Sequence, residues 1–320
     1  MEDNTNLDFK LIAEDCGLFS ETDYNVLTSR IDALKDKYCE RDLIKIYNYM
    51  LLNAQNPDII MYLIHCVDMY RDSSSLEVLV DILLLKNGSV EDEATKEKFI
   101  NVRVMCAKAI ENQKNTNVVS SLLYCLNNKH ENYKVRLACA DALGRIGDRF
   151  AVAPLIDVVK DEGEKSVYLR ESAVSALGLL GDTRAVDPLV SIIETKQGIM
   201  DKFSFLKERA IEAITRMGFG GNERVFKALK TSLSDESSQV RINAIEALMD
   251  SDNPKAFDTI KECMLNDTDE EVKKNALIAL YNMSDRSILD EVIKSPKYSD
   301  SLKMEAVEIL DEYEPEKENN

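Results

Sequence analysis

A chain of 320 residues with a formal charge of −18 exceeds what one hydrophobic core usually supports, so it is either two globular domains or an array that gains core by repetition. Only 11 Gly and 6 Pro with no Trp, against 45% hydrophobic residues, exclude a turn-rich all-β chain and favour an all-α one. The negative charge excludes a nucleic-acid backbone or an anionic membrane surface as the main partner, because each would repel the chain.

The charge is unevenly placed. Residues 1–23 and 300–320 each carry a net −6, so two-thirds of the excess sits at the ends. Charged ends suit a stack of repeats, whose first and last members each have one face without a neighbour. Seven cysteines, an odd number with no C-x-x-C pair, form neither a disulfide framework nor a zinc site. The start, Met1-Glu2-Asp3-Asn4, shows no secretory signal, and apolar runs such as Ile59 to Ile64 are too short to span a bilayer. A reducing cytoplasm is expected, with no membrane insertion, and the sequons at Asn87, Asn266 and Asn282 are then chance matches.

Taken in chain order, residues 1–56 read as an N-terminal helical cap or degenerate repeat, with amphipathic helices over Thr22 to Lys37 and Arg41 to Ala54. A repeat array is expected over 57–313. Its first unit, around Ile60, Leu63 and Val67, keeps the hydrophobic period, and Asp72 stands where later units have Asp148 and Asp182. Lys86 to Lys98, with Gly88, Ser89 and a run of acids, reads as an exposed loop, and Asp161 to Ser166 and Thr195 to Lys202 as smaller ones. Residues 314–320, rich in Pro, Glu, Lys and Asn, read as a disordered acidic tail.

The repeat is plainest in two segments. Val135-Arg136 leads to Ala142-Leu143-Gly144, Ile146 and Gly147-Asp148; Leu169-Arg170 leads to Ala176-Leu177-Gly178, Leu180 and Gly181-Asp182. Ala151 to Pro154 and Ala185 to Pro188 follow. Extending the register puts a basic residue at Arg103, Arg136, Arg170, Lys207, Arg241, Lys273 and Lys303, at intervals of 30 to 37 residues. Three residues on lies a small side chain (Cys106, Cys139, Ala173, Ala210, Ala244, Ala276, Ala306). Four further lies a large aliphatic (Ile110, Leu143, Leu177, Ile214, Leu248, Leu280, Leu310). Such a unit is a helical hairpin too thin to bury its own apolar face, and stacking covers that face on both sides. The small residue permits close approach and the aliphatic fills the space above it. Gly144, Gly147, Gly178 and Gly181 are expected to end their helices in the left-handed region, and Pro154 and Pro188 to sit in the first turns of the next.

This pattern resembles HEAT repeats, and among them the phycobilisome-lyase type, with units of the form V-R-x-x-A-x-x-A-L-G-x-L-G-D followed by A-V-x-P-L. The likeness is tight over Val135 to Leu155 and Leu169 to Leu189. It weakens from Leu206 to Asn282, where Thr215, Met249 and Tyr281 replace Gly178, and is faint before Ile100. The resemblance implies a right-handed α-α superhelix, a HEAT/armadillo-like solenoid of about seven to eight helical hairpins, whose second helices carry the basic column and line the concave side.

The basic column reads as a structural ladder rather than a binding stripe. In the family it resembles an internal ladder in which the Arg ties helix ends to an acid of a neighbouring turn, and Asp235 and Asp267 lie six residues before Arg241 and Lys273, where they can cap and pair. His65 and His130 fall on different repeats, and a metal site needs three or four convergent ligands. His130-Glu131 alone matches the paired His-Glu motifs of deoxyhypusine hydroxylase, an iron-binding HEAT-type enzyme, and one motif cannot make that site. HEAT-like DNA glycosylases need stacking aromatics and a basic channel, which the absence of Trp and the charge argue against. Gly218-Phe219-Gly220-Gly221 lacks the Lys-Ser/Thr of a phosphate loop, and Val272 stands where a calcium loop from Asp267 needs Gly. No catalytic residue, metal or cofactor is expected.

What remains is the exposed stripe of the second helices, one and five places after the basic column. Its candidate binding residues are Met61, His65, Val104, Lys108, Leu137, Asp141, Glu171, Glu208 and Glu212. An apolar strip (Met61, Val104, Leu137) running into an acidic one (Glu171, Glu208, Glu212) suits an amphipathic peptide or helix with a basic end. The alternative is that neighbouring side chains cover the apolar three. Two functions follow: a non-catalytic scaffold holding a segment of another protein, or a bilin lyase or chromophore-handling relative, with Arg145, Arg209 and Arg216 as candidates for the tetrapyrrole carboxylates.

Overall fold

A computed structural model describes residues 7–84, 92–195, 202–284 and 286–313, which are helical and contain no strand. The helices are α1 (Phe9–Cys16), α2 (Tyr24–Asp32), α3 (Glu40–Asn53), α4 (Pro57–Tyr70), α5 (Leu76–Leu84), α6 (Glu93–Gln113), α7 (Val119–Asn127), α8 (Tyr133–Ile146) and α9 (Val152–Lys160). There follow α10 (Val167–Leu180), α11 (Val186–Ile193), α12 (Lys202–Met217), α13 (Glu223–Ser232), α14 (Ser238–Met249), α15 (Ala256–Asn266), α16 (Glu270–Met283), α17 (Ser287–Lys294) and α18 (Asp300–Tyr313). Consecutive helices pair into hairpins, and from α4 onward the even-numbered second helices carry the repeat register.

The chain divides into two compact units, residues 1–155 and 156–320, with the division inside α9. In the first unit α4, α6 and α8 stack in order, and α3, α5 and α7 pack as the other layer. In the second, α10, α12, α14, α16 and α18 stack one on the next, with α11 against α13. The expected boundary at 57 coincides with the first residue of α4, and the expected tail, 314–320, lies outside the described residues.

Hairpin starts repeat one device. Asp72, Asn115, Asp148, Asp182, Asn222 and Asn253 each accept the backbone N–H two residues on, at 2.8–3.0 Å, and so open the first helix. Before five of these the chain leaves the second helix in the left-handed region, at Arg71, Lys114, Gly147, Gly181 and Gly218. Pro154 and Pro188 occupy the first turns of α9 and α11 as expected.

The small column is fully buried from Cys106 through Ala306, and so is the aliphatic column apart from the half-buried Leu310 in the last described hairpin. Three expectations change. The hairpin set gains a short opening helix, α1, that the spacing does not reveal. The loop expected over 86–98 ends by Asp92, whose carboxylate accepts the Thr95 N–H and hydroxyl at 2.8 and 2.7 Å; Asp92 and Glu93, read as loop residues, are the cap and first turn of α6. The start of that loop, 86–91, and most of the one at 195–202 lie outside the described residues.

The third change concerns glycine. Gly147 and Gly181 do end their helices, at φ +84° and +63°, but Gly144 and Gly178 lie inside α8 and α10 and are buried. A Cβ at Gly178 would stand 2.8 Å from both Cα and Cβ of Ala213 on α12. This residue is there for close approach of two helices, not for a turn.

Candidate functional site

The basic column lies along the ends of the second helices and is tied into the fold. Arg103 is 5% exposed; its Nε donates to the Leu83 carbonyl at 2.7 Å and its two terminal nitrogens to Glu131 at 2.8 and 2.6 Å. Arg136 and Arg170 donate Nε to the carbonyls of Leu126 and Val159, which close the preceding first helices. Lys207 pairs with Asp235 at 2.6 Å, and Arg241 with Asp267 at 2.8 and 3.1 Å. Each such acid belongs to the loop of the following hairpin, so the ladder joins repeat to repeat. Asp235 and Asp267 also accept the N–H of Ser237 and Asp269. Arg241 reaches Asp235 through its backbone carbonyl, at 2.9 Å, and Lys273 bonds Glu270 rather than Asp267. The last member, Lys303, pairs with Asp300 at 3.7 Å.

The stripe residues lie on the other side of the same helices. In the first unit Met61, Val104, Leu137 and Asp141 are half-buried, while His65 and Lys108 are exposed. Met61 and His65 share a depression of about 520 Å³ with Tyr24, Asp58 and Tyr62. Sequence reasoning missed those three, because Tyr24 lies on α2, outside the repeat register.

In the second unit Glu171 on α10 and Glu208 and Glu212 on α12 do come together. Arg209 donates Nε to Glu171 at 2.9 Å and Nη1 to Glu212 at 2.8 Å. Glu212 also borders a hollow of about 490 Å³ between α12 and α14, lined further by Arg216, Glu246 and Asp250. Glu208, Glu246 and Asp250 form no ion pair among the described residues. Burial, and then repulsion from Glu212, pushes the Glu208 carboxyl above the usual glutamate range; burial, Asp250 and Glu212 do the same to Glu246. Tyr168 and Phe205, 67% and 58% exposed, precede Arg170 and Lys207 by two places and Glu171 and Glu208 by three, so each lies on the acid's face of its helix. Their matching offsets were a legible signal. Ile242, by contrast, belongs to the stripe by spacing yet is buried at 9%.

These raised carboxyl values fix the sign of a pH effect. A carboxyl easier to protonate in the fold than in the unfolded chain favours the fold at low pH, and that contribution disappears as pH rises through its folded-state value. Glu208→Gln and Glu246→Gln are therefore each expected to raise Tm at neutral pH. The gain should shrink as pH falls into the carboxylate range, as thermal melts at pH 4 and pH 7 would show.

Of the three arginines suited to tetrapyrrole carboxylates, Arg145 is engaged with Glu111 at 3.1 Å and Arg209 with Glu171 and Glu212. Among the described residues no group of three or more His, Cys, Asp or Glu is placed to hold a metal ion. Nor is any helix there long and apolar enough to cross a membrane.

Comparison with known proteins follows the same lines. The family model described as HEAT repeats matches residues 89–167, 129–201 and 200–281, together more than half of the chain. No curated protein matches. Among solved structures, the complex of CpcE and CpcF of phycocyanin lyase from Nostoc sp. PCC7120 is 20% identical, with 75% of this chain and 88% of that chain covered and a TM-score of 0.42. A crystal structure of Kap121p is 13% identical, with 94% of this chain and 41% of that chain covered and a TM-score of 0.54. The karyopherin Kap121p bound to the SUMO protease Ulp1p gives 13%, 95%, 37% and 0.53. The chain thus spans about two-fifths of Kap121p, and that likeness is one of fold.

Proposed function

The chain belongs to the HEAT-repeat family, and from that premise we propose that it is a non-catalytic protein-interaction scaffold whose second helices hold a segment of a partner protein. One observation carries this reading. On the second unit, the acids of the hollow, Glu212, Glu246 and Asp250, outnumber its one arginine, Arg216, and burial together with repulsion from neighbouring acids raises the Glu246 carboxyl and that of Glu208 on the same helix as Glu212. Folding alone gains nothing from that arrangement. A bound segment carrying Lys or Arg would relieve the repulsion and be steered in by the field. Tyr168 and Phe205 add exposed rings, over which a guanidinium can stack. The acids are too dispersed for a metal ion, which needs convergent ligands, and better matched to a run of cationic side chains.

The first unit offers an apolar surface of its own, with Val104 and Leu137 as anchors. We place the protein in the cytoplasm and its partner among basic, amphipathic peptides or helices. Reported binding of Ulp1p by Kap121p is an instance of a solenoid of this fold holding another protein.

The test is a pull-down from the native host, read by quantitative mass spectrometry, with wild-type chain, Glu208→Lys/Glu246→Lys and Leu137→Asp, all matched for helicity by circular dichroism. One protein captured by the wild type is expected to fall tenfold or more with the charge reversals and at high salt, and to fall with Leu137→Asp as well. Identical captured sets from all three chains would sink the proposal.

A further inference from the structure

Five side chains line the depression on the first unit: Tyr24 from α2, and Asp58, Met61, Tyr62 and His65 from α4. The rings of Tyr24 and Tyr62 have centroids 6.3 Å apart and planes at 84°, so they stand as adjacent walls of a box. The Tyr62 hydroxyl is hydrogen-bonded to Asp32, whose carboxylate also accepts from Lys35 at 2.7 Å. The polar tip of Tyr62 is therefore occupied, and its contribution to the depression is the ring. Asp58, in the first turn of α4, supplies a carboxylate at the rim; its partner, Lys98 at 2.6 Å, is 47% exposed at the side chain and can be displaced. Among the described residues no lysine or arginine lines the space.

Two aromatic walls, a polarisable thioether and a carboxylate make a poor site for an anion and a costly one for a strongly hydrated metal ion. They suit a cation whose charge is spread over a large, weakly hydrated surface. We propose that this depression binds a weakly hydrated organic cation, an alkylated ammonium or guanidinium head carried on a side chain of the partner. This names ligand chemistry for part of the surface proposed above. Its test needs no partner, so a failed pull-down and a failed titration are separate results.

The chain provides its own reporter. It contains two histidines, His65 in the depression and the exposed His130 in the loop between α7 and α8, so the imidazole proton resonances give one signal at the site and one control. The full-length protein is titrated with choline, with methylguanidinium and with 3,3-dimethyl-1-butanol, the uncharged carbon isostere of choline, at fixed ionic strength held by sodium chloride. A single small cage open to solvent binds such a cation weakly, so millimolar affinity is expected. The His65 signals should shift saturably with at least one of the two cations, at least fivefold tighter than with the isostere, while His130 stays still. Preference between choline and methylguanidinium then tells alkylammonium from guanidinium. Tyr24→Phe should retain the response, since the ring is kept, and Tyr24→Leu should lose it. Equal response to cation and isostere would make the depression a plain apolar pocket and overturn the proposal. So would equal shifts of His65 and His130, or no saturable shift with either cation.

Discussion

Arg103→Met is expected to destabilise the fold by about 3–5 kcal/mol, read as a lowered midpoint of urea unfolding. Methionine replaces much of the aliphatic volume, so the loss is electrostatic. It removes the guanidinium from Glu131, whose carboxylate is 9% exposed, and takes a donor from the Leu83 carbonyl. A buried carboxylate stripped of its counter-charge is far more costly than the intact pair is favourable. Arg103→Lys should recover little. One ammonium cannot place a donor on Leu83 while bridging both oxygens of Glu131, as the planar fork does. Arg103→Met/Glu131→Gln should recover a large part of the loss, because it removes the buried negative charge along with the guanidinium. A single-variant loss under about 1 kcal/mol would mean that the ladder is ornamental at this rung.

The same rung shows what the sequence can and cannot display. The register of Arg103, Cys106 and Ile110 repeats every 30 to 37 residues and is legible because a helix fixes which residues share a face. The partner of Arg103 lies 28 residues downstream, in a loop whose acid drifts relative to the basic residue it bonds, 28 residues on for Glu131 and Asp235 but 26 for Asp267. No helical period reports that drift. For the same reason Asp267 looked suited to Lys273, six residues on, and instead closes on Arg241 behind it. Helix α1 escaped notice because eight residues hold barely two turns of pattern. Tyr24 could not be joined to Met61 and His65 from spacing, since α2 lies outside the repeat. The acidic residues of the second unit were visible one by one; that burial and Glu212 make Glu208 and Glu246 uncomfortable is a property of α12 packed on α14.

The second unit accordingly mixes two kinds of position. Ladder residues are satisfied: Lys207 and Arg241 are largely buried, each hydrogen-bonded to an acid of the following hairpin. The neighbouring stripe carries Glu208 and Glu246, whose carboxyls burial raises, and exposed rings. On the proposed function, stability and recognition fall to different faces of one helix, and substitutions should separate them. Glu208→Gln should stabilise and weaken binding, whereas loss of a ladder residue should destabilise without changing which partner is chosen.

Gly178→Ala provides the sharpest check on how closely those helices approach. By helix propensity alone the change should stabilise, since alanine is favoured over glycine inside a helix by about 0.5–1 kcal/mol. Packing opposes it: the new Cβ would stand 2.8 Å from Cα and Cβ of Ala213, and a backbone carbon cannot rotate out of the way. Helices α10 and α12 must separate, and insertion of one carbon into a tight interior contact costs about 1–3 kcal/mol. The expected result is a net loss of about 1–2 kcal/mol, growing with Gly178→Val. Ala213→Gly removes one of the two contacted carbons, so a double-mutant cycle should show a favourable coupling of about 0.5–1 kcal/mol. Stabilisation by Gly178→Ala in the otherwise unaltered chain would mean that α10 and α12 are further apart than this, and the glycine of the repeat would then need another cause.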